Sequence, residues 1–232
     1  MANLAALRQI CRARYGGSRW NDEDALWNQV VLNDCVNEAH RDLAQRLLVY
    51  RQTQTYNITA SDGIVELDCN VIEILPNTVE ISLSSHWRRL THVPEERLLY
   101  GYGSFREITD TDPWAYWLQA GDTFEQHRLL RLFPEPQTTV SSGLKLDAFI
   151  YPADMTADTH TPALQPAEHR HLIPLVCLRM AELDLSRGRQ DAPVAYWRQQ
   201  AEEALTTLKR TLTRFRRPGP RMIRPTRYHD YY

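Results

Sequence analysis

Apolar residues recur with a helical period at both ends of this chain and with a strand-like period of two in the middle. Over residues 3–14, Leu4, Leu7, Ile10 and Cys11 share one face, which predicts a short amphipathic helix. Gly16-Gly17-Ser18 breaks it. A longer helix is expected from about Asp24 to Leu48, with Trp27, Val30/Val31, Cys35, Ala39, Leu43 and Leu47 as its apolar stripe. Asn21 or Asp22 would cap it, and Glu23 and Asp24 fall in the first turn, where the helix dipole favours acids.

From Arg51 the pattern alternates. Thr53, Thr55, Asn57 and Thr59 interleave with Gln54, Tyr56 and Ile58, which reads as a strand. Ser61-Asp62-Gly63 is a turn signal, and Ile64-Val65-Glu66-Leu67-Asp68 is expected to return as the second strand of a hairpin. Further strands are expected at 78–84, 87–92, 114–119, 128–133 and 144–151, and Glu95 to Tyr100 suits one helical turn. Many short strands at close spacing point to a small sandwich or open barrel. After Pro162 and Pro166 the helical period returns over 167–187, where Leu172, Val176, Met180 and Leu183 align. Pro174 inside that stretch means a helix start or a kink. Arg187-Gly188-Arg189 closes it, and a last helix follows from about Ala192 to Arg216. Its face is Val194, Trp197, Ala201, Ala204/Leu205, Leu208, Leu212 and Phe215, with Pro193 in the first turn.

The fold class these periods predict is α+β. N- and C-terminal helices (1–50 and 166–216) form a helical bundle with an inserted small antiparallel β domain (51–165) and an extended basic C-terminal tail (217–232). The tail differs in kind from the rest. Pro218-Gly219-Pro220 and Pro225 exclude regular structure, while Arg221, Arg224 and Arg227 interleave with Met222, Ile223, Tyr228, Tyr231 and Tyr232. Such a segment has no core of its own and is too aromatic for a mere solubilising end. It is the expected partner-binding element, with Arg216 and Arg217 at its start.

Composition sharpens this picture. A hydrophobic fraction of 43% and a charged fraction of 24% are ordinary for a globular protein, and no apolar run reaches the ~20 residues a membrane span needs. Nor does the N-terminus carry the uninterrupted apolar run of a secretory signal. The net charge of −2 conceals an asymmetry: residues 51–165 hold eight basic and sixteen acidic side chains, residues 166–232 thirteen basic and seven acidic. Apart from Lys145 and Lys209 every basic residue is arginine, whose planar donor fork suits interfaces. Cys11, Cys35, Cys69 and Cys177 stand singly, outside any CxxC pair, and are expected to be buried thiols.

Catalytic chemistry finds little to work with. His86, His92, His127, His160, His169 and His171 are the candidates for acid–base work, yet none lies in an HExxH, GxSxG or Walker-type context. His169 and His171, two apart on a helix, would point to different faces. The expectation is a non-enzyme with no metal site and no cofactor. Among the tryptophans, Trp27 and Trp197 fall on helix core stripes, while Trp20, Trp87, Trp114 and Trp117 lie in loops or strands where aromatics anchor interfaces.

Several segments carry a resemblance. They are Asp34-Cys35-Val36-Asn37-Glu38-Ala39-His40-Arg41-Asp42-Leu43-Ala44; Tyr56-Asn57-Ile58-Thr59-Ala60 with Ile72-Glu73-Ile74; Arg131-Leu132-Phe133-Pro134-Glu135-Pro136 followed by Leu144 to Tyr151; and Leu164-Gln165-Pro166-Ala167-Glu168-His169. In this order the chain resembles the head-to-tail adaptor (connector) proteins of tailed bacteriophages; residues 94–125 have no close counterpart in that pattern. The resemblance implies a structural virion protein at the head–tail interface, or neck, assembled in the host cytoplasm. It implies a ring, usually a dodecamer, with neighbouring copies as partners, the tail inserted into the portal protein, and a tail or stopper protein below. Genomic DNA would pass through the channel without sequence-specific binding, and no membrane is involved. The alternative is a nucleic-acid-binding virion or accessory protein that uses the Arg/Tyr-rich tail to neutralise phosphates and stack on bases.

Overall fold

The computed structural model describes residues 2–16, 28–84, 86–102, 109–110, 112–120 and 128–216. It divides into two compact units, Met1–Ala39 with Met155–Tyr232, and His40–Asp154. Helix and antiparallel sheet are both present, so the class is α+β.

The first unit is helical. It holds α1 (Leu4–Gly16), the first part of α2 (Gln29–Leu47), a 3₁₀ helix (Pro166–His171), α4 (Leu172–Ser186) and α5 (Val194–Arg216), whereas α3 (Glu95–Tyr102) belongs to the second unit. Leu4, Leu7 and Cys11 of α1 are fully buried, as their period requires. In helix α2, Asn28 is the cap, accepting a hydrogen bond from the Val31 amide at 3.0 Å; the expected start at Asp24 lies outside the described residues. Asn21, Asp22 and Trp27 lie outside the described residues. The buried face of α2 is Leu32, Cys35, Val36 and Ala39, while Val30 points outward. Pro174 is the third residue of α4, where an amide would lack an intrahelical partner in any case, so it marks a helix start rather than a kink. Before it, Gln165 donates its amide to Glu168 Oε2 at 3.3 Å. Gly188, at φ +92°, turns the chain from α4 into α5, which packs on α4 through Trp197, Ala201, Leu205 and Leu208.

Polar contacts pin the segment after Met155 to these helices. Asn37 holds the Met155 backbone from both sides, accepting from its amide at 2.9 Å and donating to its carbonyl at 3.3 Å. Arg8, nearly buried, reaches Asp158 and Asn33.

The described residues of the second unit form eleven strands and α3. One sheet has the order β1 (Arg51–Ile58), β11 (Val140–Ile150), β4 (Glu80–Ser84), β5 (His86–Arg89), with β3 (Val71–Ile74) also on β11. The other runs β2 (Ile64–Glu66), β9 (Arg128–Phe133), β8 (Ala115–Ala120), β6 (Thr91–His92). A two-stranded ribbon joins β10 (Glu135–Pro136) to β7 (Thr109–Asp110). Ile58, Ile81, Leu144 and Leu146 of the first sheet share one core with Val65, Tyr116, Leu130 and Leu132 of the second.

The expected β1–β2 hairpin is not formed. β1 pairs antiparallel with β11, Arg51 opposite Phe149, and β2 pairs with β9 in the other sheet. The turn between them hands the chain from sheet to sheet: Ser61 and Gly63 both have positive φ, and a Cβ at Gly63 would stand 2.8 Å from Glu135 Cγ. The unit is also not wholly antiparallel, since β6 with β8 and β10 with β7 are short parallel pairs. Glu95 to Tyr100 extends to the full helix α3. Cys69 is exposed in the turn after β2, unlike the other three cysteines, because a turn between short strands has no core beneath it.

Candidate interaction surface

Within the helical unit, the end of α1, the start of α2, the end of α4 and the start of α5 lie close together. Tyr15 near the end of α1 donates its hydroxyl to Asp184 of α4 at 2.6 Å, and its ring lies 6.5 Å from that of Trp197 at the start of α5. Burial and the Asp184 carboxylate together push the Tyr15 phenol above its ordinary range. Asp184 also receives Arg189 at 3.4 Å. Its other oxygen is buried and meets no hydrogen-bond partner among the described residues. Tyr196 stacks edge-on against Trp197 and stays 56% exposed; among the described residues of this unit, Leu185 (48%) and Val30 (67%) are the other large apolar side chains left in solvent. Exposed aromatic and apolar side chains of this kind are the residue types that anchor interfaces.

Alongside lies a groove of about 420 Å³ between α2 and α4. Val31, Cys35 and Leu183 give it an apolar floor. Asp34 and Glu38 line one side, and Glu182 with Arg179 and Arg187 the other. Glu182 is already engaged, at 2.9 Å from Arg179 and 3.7 Å from Arg198. Asp34 and Glu38 are exposed and meet no ion-pair or hydrogen-bond partner among the described residues. Their field is felt at the floor: burial, then Glu38 and Asp34, push the Cys35 thiol up to about 12 despite the two arginines nearby. A hydrogen bond with Cys177, together with burial, raises the Cys11 thiol as well.

The β unit presents its own exposed aromatics. Trp87 on the edge strand β5 is half exposed with the Lys145 ammonium 5.5 Å above its ring, and every residue of β5 faces solvent. Trp114 stacks edge-on against Phe133 at 5.6 Å, and Tyr100 of α3 stands almost free of the fold. Trp117 and Trp197 are buried. Trp20 and Trp27 lie outside the described residues.

The residues singled out by sequence for binding are not brought together here. Arg216 is the last residue of α5, and Arg217, Arg221, Met222, Ile223, Arg224, Arg227, Tyr228, Tyr231 and Tyr232 lie outside the described residues. The described histidines are dispersed. His86 and His92 are exposed on strands, His160 Nδ1 accepts from the Thr156 and Ala157 amides, and buried His169 bonds the Leu164 carbonyl at 3.0 Å. Burial and the neighbouring Arg170 lower the His171 imidazole. His127 lies outside the described residues. Among those described, no group of three or more His, Cys, Asp or Glu is placed to hold a metal ion, and no helix is long and apolar enough to cross a membrane.

The groove and the Tyr15–Asp184 contact were not found from sequence. Asp34 and Glu38 sit four apart, so their shared face was legible, but their meeting with Glu182 needs the packing of α2 on α4. Comparison with known families gives one finding: the family described as SU10 adaptor protein matches the chain over residues 2–224. No curated protein matches it.

Proposed function

Because the chain belongs to the SU10 adaptor protein family, which makes it a structural adaptor of a phage particle, we propose that it docks on the portal as a ring and supplies the tail's attachment site. Family membership across residues 2–224 is the observation that carries this reading. Neighbouring copies would complete the ring, with a dodecamer the expected size, and the genome would pass through its centre. The tail from Arg217 to Tyr232 is the proposed portal-binding element. It follows a 23-residue helix, about 34 Å long.

Docking through the tail would order a segment rich in arginine and tyrosine against the portal and cost chain entropy. Neighbours already on the ring offset that cost through effective concentration. The exposed Val30, Leu185 and Tyr196 would serve contacts between copies or to the tail side, where aromatic and apolar anchors carry affinity.

The test is recovery of the portal by the full chain and by a version ending at Arg216. Portal retained by the full chain alone supports tail docking. Equal retention by both places the contact elsewhere on the protein. Recovery of nucleic acid with no ring partner would favour the nucleic-acid reading instead.

A further inference from the structure

Strand β1 is one edge of the sheet ordered β1-β11-β4-β5, and a single contact fixes which way its backbone groups point. The Ile150 amide donates to the Tyr50 carbonyl at 2.9 Å, one step before the register that sets Arg51 opposite Phe149. Backbone groups alternate sides along a strand, so Gln52 and Gln54 also turn toward β11. Arg51, Thr53 and Thr55 therefore turn their amides and carbonyls away from it. Among the described residues, none of these outward groups has a backbone partner.

Sheet edges are ordinarily blunted by charge, by proline or by a bulge. β1 carries neither proline nor lysine, and its bulge falls beyond Thr55, between Tyr56 and Ile58. Its one charged residue, Arg51, is neutralised within the chain by Asp147, and Lys145, opposite Thr55, lies 3.6 Å from Glu80. What remains of the edge is the uncharged run Gln52-Thr53-Gln54-Thr55, exposed except for half-buried Gln54.

We propose that free copies of this chain pair through β1, antiparallel about a two-fold axis at Thr53, so that the sheets of two copies become one.

Self-complementarity selects a second copy as the occupant. A two-fold axis perpendicular to the edge sets the identical strand antiparallel to it, donors against acceptors. With Thr53 opposite its own counterpart, Arg51 meets Thr55 of the second copy and Thr55 meets Arg51. Every outward residue then faces an outward residue, and such pairs exchange two bonds each, about six in all. Threonine opposite threonine is a favourable cross-strand pair, and no like charges stand directly opposite each other. An edge contact of this length buries less than the ~1,200 Å² of a stable interface, so the dimer is weak and concentration-dependent. It joins copies head to head and cannot close a ring of like-oriented copies. The contact stands on the strand edge; its use, keeping free copies out of rings until the portal gathers them, rests on the docking reading above.

Sedimentation equilibrium of the full chain tests this without any portal protein, so its failure is distinct from failure of the docking proposal. A monomer–dimer equilibrium is expected. Thr55→Pro should weaken it about tenfold or more, because proline there removes an outward amide and no bond to β11. A second measurement reads the register. Thr53→Cys in a Cys69→Ser background, treated with oxidised glutathione, should give a disulfide-linked dimer, since opposed Cα atoms stand about 5.5 Å apart. The two introduced thiols are oxidised and the glutathione disulfide is reduced to two thiols. The exposed control Thr207→Cys on α5, in the same background, should stay uncrosslinked. A chain that is monomeric at every concentration overturns the proposal, as does a dimer indifferent to Thr55→Pro. Equal cross-linking of Thr53→Cys and the control also overturns it, and so do closed rings formed by the free chain.

Discussion

Asn37 makes the strongest single demand on the helical unit. It sits on α2 and closes two hydrogen bonds with the backbone of Met155, at 2.9 and 3.3 Å, and both residues are buried. Asn37→Ala removes both. The Met155 amide and carbonyl then lie buried without their partner, and an unsatisfied buried group costs about 1–3 kcal/mol. With partial relief from local relaxation, the expected loss is about 2–3 kcal/mol. For a chain of this size that lowers the unfolding midpoint by roughly 4–12 °C. Asn37→Asp separates the two bonds. It keeps an acceptor for the Met155 amide but turns a carboxylate oxygen toward the Met155 carbonyl, in a buried site where charge is costly. Its loss should be at least as large at neutral pH and should shrink in acid, where the protonated carboxyl can donate. Denaturant unfolding followed by far-ultraviolet circular dichroism measures both. A Asn37→Ala protein within about 0.5 kcal/mol of wild type would refute the reasoning, because truncation away from such features costs no more than that.

Other outcomes follow from the same contacts. Tyr15→Phe removes the 2.6 Å hydrogen bond to the buried Asp184 carboxylate and should cost about 1.5–3 kcal/mol by denaturant unfolding, the range for bonds to charged groups; an unchanged stability would mean water replaces the hydroxyl. Under native conditions at neutral pH, Cys69 alone should react with a thiol reagent and all four cysteines should react after unfolding, since the buried Cys35 thiol is held up to about 12. Raised folded-state values at Cys35, Cys11 and Tyr15 mean that the folded protein keeps protons which the unfolded chain releases. Stability should therefore be full below the ordinary thiol range and fall as pH rises from about 9 toward 12, with a shallower fall in Cys35→Ala. Arg→Ala at Arg221, Arg224 and Arg227 together should weaken portal binding and flatten its salt dependence; unchanged affinity would remove charge from the docking account.

What the sequence made legible was periodic and local. The stripes Leu4, Leu7, Cys11 and Trp197, Ala201, Leu205, Leu208 follow helical spacing and are buried as that spacing requires. Pro193, Gly188 and Pro174 mark helix ends through backbone constraints that act within a turn. Pairing in the β unit was not legible, because β1 finds its partner almost a hundred residues away at β11, while the nearer β2 crosses to the other sheet. A strong turn signal at Ser61-Asp62-Gly63 is compatible with either connection, and only the core shared by the two sheets decides between them. On α2 the run Val30, Val31, Leu32 offers more apolar residues than one face can hold, so the period alone did not reveal that Val30 faces out. The surface around Tyr15, Asp184 and the groove joins residues from α1, α2, α4 and α5, which no spacing along the chain connects. The tail, by contrast, was conspicuous in composition alone.

We propose that this adaptor forms a ring on the portal and holds it through residues 217–232. Electron microscopy of the portal mixed with the full chain, at a resolution that traces side chains, tests it most directly. The account expects a closed ring of adaptor copies on one end of the portal, with Arg221, Arg224 and Arg227 against portal side chains. A portal that stays bare, or a ring whose residues 217–232 touch no portal surface, would contradict it.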